Sequence, residues 1–130
     1  MAEEKSCCCG RIQYNLVFAC SGAADVGAVA DLAARKLSRE NTAAMCCTAA
    51  IAAEIPEILE RATFAAKTVV IDGCDKACAK MIMDRGGFKG YAYLELGTLG
   101  MRKGKTPADD AAVAEAAAAA AEALNGTGEA

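Results

Sequence analysis

Thiols are the reactive groups in this chain, and four of them stand where strands should end. Cys20 follows Leu16-Val17-Phe18-Ala19, and Cys47 follows Ala43-Ala44-Met45-Cys46. Cys74 comes two residues after the run Val69-Val70-Ile71-Asp72, and Cys78 lies four residues further on, where a helix should begin. If those runs are parallel strands, their carboxyl ends share one edge of a sheet, where open α/β folds bind ligands. Thiols far apart in sequence would then meet in one place. Thiolates do two kinds of chemistry, metal ligation and nucleophilic attack.

The absence of histidine narrows the choice. Among 130 residues there are eight Cys and no His. Cys–His nucleophile pairs and mixed Cys/His metal sites are therefore excluded, along with the usual proton shuttle near neutral pH. Zinc held by four thiolates at about 2.3 Å fits what is left, and an iron–sulfur cluster would satisfy the same donors. The spacing is unlike a zinc ribbon, because only one close pair, Cys74 and Cys78, is present. On a helix, residues four apart share a face, so both sulfurs of that pair could reach one ion. A helix N-terminus there would favour negative charge, and Lys76 and Lys80 could offset the thiolates. The plainer alternative makes Cys78 a small buried hydrophobe.

Other chemistries fare worse. Cys20 opens the loop Cys20-Ser21-Gly22-Ala23-Ala24-Asp25, which could cradle an anion at a helix start. No Lys-Thr or Lys-Ser follows as in a P-loop, and Val26 stands where a phosphatase-type thiolate loop needs Arg. Asp25 is read as a first-turn helix acid before a site carboxylate, and Asp72 as a turn residue before a site charge. Tyr93 is a further polar neighbour. Adjacent strand residues face opposite sides, so Cys47 is assigned to the site and Cys46 to the core. A thiol-based redox or persulfide sulfur-transfer protein is the competing reading, although no Cys-x-x-Cys motif is present. A plain scaffold with incidental cysteines ranks below both.

The elements that must position these thiols can be read from periodicity. Strands are expected over 14–20, 43–47, 67–72 and 89–98. Helices are expected from Ala23 to about Leu37, from about Ile51 to Ala62 with Pro56 near its start, and over 75–85. Thr106-Pro107-Ala108-Asp109 reads as a helix start, with Thr106 as the cap, leading into an Ala-rich helix to Leu124. The order βαβαβαβ followed by a helix predicts a three-layer α/β sandwich on a mostly parallel sheet of about four strands. The organisation is then a flexible Cys-rich leader over 1–13, an α/β metal-binding domain over 14–105, an Ala-rich helix over 106–125 and a tail over 126–130. The leader run Cys7-Cys8-Cys9 is read as an accident of composition before a sulfur- or metal-carrying arm.

Composition sets further limits. A net charge of −3 without a basic stripe argues against nucleic acid as a partner. No apolar run approaches the roughly 20 residues of a membrane span. Leu16-Val17-Phe18-Ala19-Cys20 loosely resembles a lipoprotein cleavage site. The acidic start and the short apolar stretch disfavour a leader, so a reduced cytoplasmic setting is expected. The partner read here is a metal ion; no protein partner is specified, and a homodimer stays open.

In order, the segment from Phe18 to Gly27, the segment Met45-Cys46-Cys47-Thr48-Ala49-Ala50-Ile51, and Ile71-Asp72-Gly73-Cys74 resemble the DGC-domain family. That family takes its name from the Asp-Gly-Cys triplet and is described as zinc-binding. The resemblance spans roughly residues 15–105. It departs from the family where Thr48 to Ala53 replace a more Gly-rich stretch. It implies Cys20, Cys47, Cys74 and Cys78 as the ligands.

Overall fold

The computed structural model describes residues 14–126. Four short strands form its centre: β1 (Leu16–Ala19), β2 (Ala44–Cys46), β3 (Thr68–Asp72) and β4 (Ala92–Glu95). All pair in parallel, in the order β2-β1-β3-β4. Both faces of the central strands are buried, as continuous apolar runs in parallel sheets require. Val17, Ala19, Val69 and Ile71 point to one side, where α1 (Asp25–Arg39) and α5 (Asp110–Gly126) cover them. Leu16, Phe18, Val70 and Cys46 point to the other, against α2 (Thr48–Ala52), α3 (Pro56–Thr63) and α4 (Cys78–Arg85). The fold is a three-layer α/β sandwich.

The scarcity of large side chains shapes the packing. Where α1 meets α5, the buried residues are mostly alanine, including Ala30, Ala33, Ala34, Ala116, Ala117 and Ala120. The Ala-rich helix therefore shares the core of the α/β domain.

Several boundaries differ from those the sequence suggests. The single helix expected over 51–62 is two helices, because Glu54 adopts a left-handed φ of 59° and Pro56 opens the second. The fourth strand ends at Glu95, whose side chain takes the Gly97 N–H at 2.8 Å and starts a 3₁₀ turn over Leu96–Leu99. Helix α5 begins at Asp110, three residues after the Pro107 start that a Thr106 cap implies. Thr106 does not cap it. Its hydroxyl instead exchanges hydrogen bonds with the backbone of Arg102, and Asp109 receives the Ala112 N–H at 2.9 Å. The expected leader over 1–13, with Cys7, Cys8 and Cys9, lies outside the described residues, as does nearly all of the tail.

The strand order fixes where a site can form. From β1 the chain crosses to β2 on one side, then returns past β1 to β3. The direction reverses between β1 and β3, and the carboxyl ends of such a pair are where open α/β sheets bind ligands. Cys20 and Asp72-Gly73-Cys74 stand at that point.

Candidate functional site

Strand β1 delivers Cys20 to the crossover. The Cys20 N–H still donates to the Ile71 carbonyl at 3.0 Å, continuing the ladder one residue past the strand. Its Sγ accepts the Gly73 N–H at 3.4 Å. The thiol is thus held between the ends of the two strands at the reversal, half-buried against both cores. Ser21 follows with φ 52°, a left-handed conformation that costs a non-glycine residue energy.

Close backbone approach closes this corner. A Cβ built on Gly73 would lie 2.7 Å from the Val26 carbonyl carbon and oxygen and 2.9 Å from the Gly27 nitrogen. One on Gly27 would lie 2.5 Å from the Gly22 oxygen. The first turn of α1 is packed directly on the β3–α4 loop, and only glycine fits at both places. The glycine of the Asp-Gly-Cys triplet is therefore required by packing.

The aspartate is architectural too. Asp72 is 1% exposed, and three donors surround its carboxylate. Oδ1 accepts the Ala79 N–H at 2.8 Å, and Oδ2 accepts the Lys80 N–H at 3.0 Å and the Tyr93 hydroxyl at 2.9 Å. Those two amides belong to the first turn of α4, so the carboxylate caps a helix that begins six residues after it. Burial, and next this hydrogen bond, push the Tyr93 hydroxyl well above the usual tyrosine range. Lys80 is engaged nearby, 3.0 Å from Asp84 and over the Tyr93 ring. The turn role expected for Asp72 is replaced by capping at a distance.

That cap also moves the start of α4. The helix was expected from Asp75, but it begins at Cys78, with Ala77 left-handed at φ 55° before it. Cys74 therefore lies in a turn, and the shared helix face expected for Cys74 and Cys78 does not form. Cys74 is half-buried and Cys78 exposed.

Cys46 and Cys47 divide as strand alternation requires. Cys46 is 5% exposed in the core beside α3, where burial pushes its thiol up despite the Arg61 guanidinium 3.8 Å away. Cys47 is exposed at the head of α2. Thr48, in the segment that departs from the Gly-rich pattern, is buried and donates to the Ala19 carbonyl at 2.8 Å. It ties the β2–α2 corner to the end of β1.

Asp25 is a first-turn acid with a second duty. It accepts the Val26 N–H at 2.7 Å and the Gly104 and Thr106 N–H groups at 2.9 and 3.1 Å. These bonds clamp the loop before α5 onto the start of α1. The Gly104 N–H, opposed by desolvation and joined by the other amides, holds the carboxyl below the usual aspartate range.

Two arginines were missed in the sequence. A cavity of about 880 Å³ lies between α1 and the carboxyl ends of β1 and β2, with Cys20, Cys47, Arg35 and Arg39 in its wall. Asp31 on α1 accepts from Ser21 at 2.8 Å and from Arg35 at 2.7 Å, so the loop after Cys20 and the guanidinium are held together. The i, i+4 spacing of Arg35 and Arg39 was the available signal, but on an exposed helix face it reads as ordinary solvation.

The four sequence-assigned thiols thus occupy neighbouring strand and helix ends. Cys20 and Cys47 share a cavity, and Cys20 and Cys74 flank the Gly73 amide. Their donor chemistry suits zinc or an iron–sulfur cluster. Among the described residues, however, no three Cys, Asp or Glu side chains are grouped to hold a metal ion. No helix among them is long and apolar enough to cross a membrane.

Residues 16–122 match the DGC domain, a span that takes in most of α5. The Anaerobic and virulence modulator AnvM of Pseudomonas aeruginosa is 32% identical over 88 residues, covering 68% of this chain and 67% of that protein. No solved structure matches. With its triplet at the crossover and the match running through both faces of the sheet, the chain belongs to the DGC domain family.

Proposed function

We propose that this protein binds a metal ion, zinc before iron–sulfur, through Cys20, Cys47, Cys74 and Cys78. The observation that carries the reading is the place of Cys20, held at the topological crossover with its sulfur against the Gly73 amide and Cys74 next in sequence. Half-buried Cys20 and Cys74 would anchor the ion, and exposed Cys47 and Cys78 would close over it. The left-handed residues Ser21 and Ala77 adjoin Cys20 and Cys78, a form of local strain that gathers at functional sites.

The test is elemental analysis of anaerobically purified protein beside Cys20→Ser and Cys74→Ser. About one zinc per chain, lost in both variants, supports the reading. Iron with matching sulfide keeps the site and changes the cofactor. Metal-free, folded protein with a fast-reacting thiol overturns it.

That last outcome belongs to a second reading, thiol-based redox or persulfide sulfur transfer. It is favoured by the cavity that Cys20 and Cys47 share, since an open wall with two thiols suits a small reactant.

A further inference from the structure

The cavity beside β2 carries more than thiols. Its wall combines Arg35 and Arg39 from α1, Ser21 from the loop after β1, and Cys20 and Cys47 at the strand ends. Arg35 is held by Asp31, so one cation is fixed in place and partly neutralised. Arg39 is exposed and has no ion-pair partner among the described residues. Its charge is available to a ligand. Asp31 also lines the wall, so after its pairing with Arg35 the surplus charge is that of Arg39. Guanidiniums recognise carboxylates in a planar, bidentate way, and a surplus charge in a cleft concentrates ligands of the opposite sign. Cys47 is the exposed thiol of this wall, whereas Cys46 is buried.

We propose that this cavity takes a small acidic disulfide, with its carboxylate on Arg39 and Arg35 and its sulfur–sulfur bond presented to Cys47. The Cys47 sulfur, having given up its proton, attacks the nearer ligand sulfur. A Cys47–ligand disulfide forms as the ligand's own sulfur–sulfur bond breaks, and the departing thiolate takes up a proton. The bound disulfide is the oxidant, and the released thiol is the reduced product. The cavity volume suits a ligand of peptide size. The proposal shares Cys47 with the metal reading, so it applies to the metal-free chain, but the guanidiniums that select the ligand belong to no thiol–metal site.

The test measures adduct formation by intact mass on the full reduced chain, with oxidised glutathione and uncharged hydroxyethyl disulfide as probes. Peptide mapping locates the adduct, and the same pair of rates is measured with and without a chelator. The quantity read is the ratio of the two rates on one preparation, so metal occupancy, which blocks both probes together, leaves it interpretable. The wild-type ratio is expected to fall by about tenfold in Arg39→Ala, while the rate with hydroxyethyl disulfide stays the same. High salt should collapse the wild-type ratio, because the screening length shrinks to roughly 3 Å at 1 M. The adduct should map to Cys47 and disappear in Cys47→Ser. An unchanged ratio in Arg39→Ala overturns the proposal, as does an adduct elsewhere or no adduct in either preparation. None of these outcomes alters the zinc stoichiometry that tests the metal reading.

Discussion

The corner after β3 and the corner after β2 both carry a cysteine at the same edge of the sheet, but they are built in opposite ways. At Asp72-Gly73-Cys74 the carboxylate is buried under three hydrogen bonds, and the glycine is pressed onto the backbone of α1. At Cys47-Thr48 a single threonine hydroxyl reaches β1, and the thiol stands open to solvent and to a cavity. The first corner is a keystone, and the second is a port. Two of the three residues in the family's defining triplet are accounted for by folding alone. The cysteines are what remain for chemistry.

Substitutions should separate the two corners sharply. Asp72→Ala strips the cap from α4 and leaves the Tyr93 hydroxyl without its acceptor. The expected loss is roughly 4 kcal/mol, read from denaturant unfolding. A loss under about 1 kcal/mol would show that the keystone description is wrong. Gly73→Ala forces a methyl against backbone rather than against a flexible side chain, so about 3 kcal/mol is expected in the same measurement. Tyr93→Phe removes one hydrogen bond from Asp72 and keeps the ring, for about 1 kcal/mol.

A subtler effect should appear only in acid. The Asp25 carboxyl is held below the ordinary aspartate range in the fold, so it stabilises the protein above that range. Its contribution is lost as the pH falls below about 4 and through the depressed value. Thermal melts from pH 6 to pH 2 should therefore decline less steeply in Asp25→Asn than in wild type. Asp31 and Asp84 shift in the same direction and keep part of the slope. The smallest effect belongs to the port. Cys47→Ser should change the stability of metal-free protein by no more than about 0.5 kcal/mol. A cost comparable to that of Gly73→Ala would erase the distinction between the corners.

Alternation within a strand settles local orientation, and Cys46 and Cys47 were legible for that reason: one faces the core, and its neighbour lies at the open end. The Val-Val-Ile run and the Leu-Val-Phe-Ala run identified buried parallel strands because they are apolar on both faces. The start of α4 was not legible. The amides of Ala79 and Lys80 are satisfied by Asp72, seven and eight residues away, and no local pattern reveals a cap at that distance. The same displacement removed the helical spacing assumed for Cys74 and Cys78. The break between α2 and α3 was hidden in a left-handed Glu54, a conformation that residue type does not advertise. Thr106 looked like a cap, but it was claimed by Arg102 and by the clamp on Asp25.

Residue order by itself determined the element types, the layering and the set of thiols, because periodicity and the lack of histidine are properties of the chain. Tertiary structure decided which strands became neighbours, and so placed Cys20 against Gly73 across 53 residues of sequence. It also brought Arg35 and Arg39 to the cavity wall beside Cys20 and Cys47. The physical reason is common to both: a glycine that must vanish under α1 and an arginine that must line a cavity are defined by neighbours distant in sequence. Such neighbours exist only once the sheet has chosen its order.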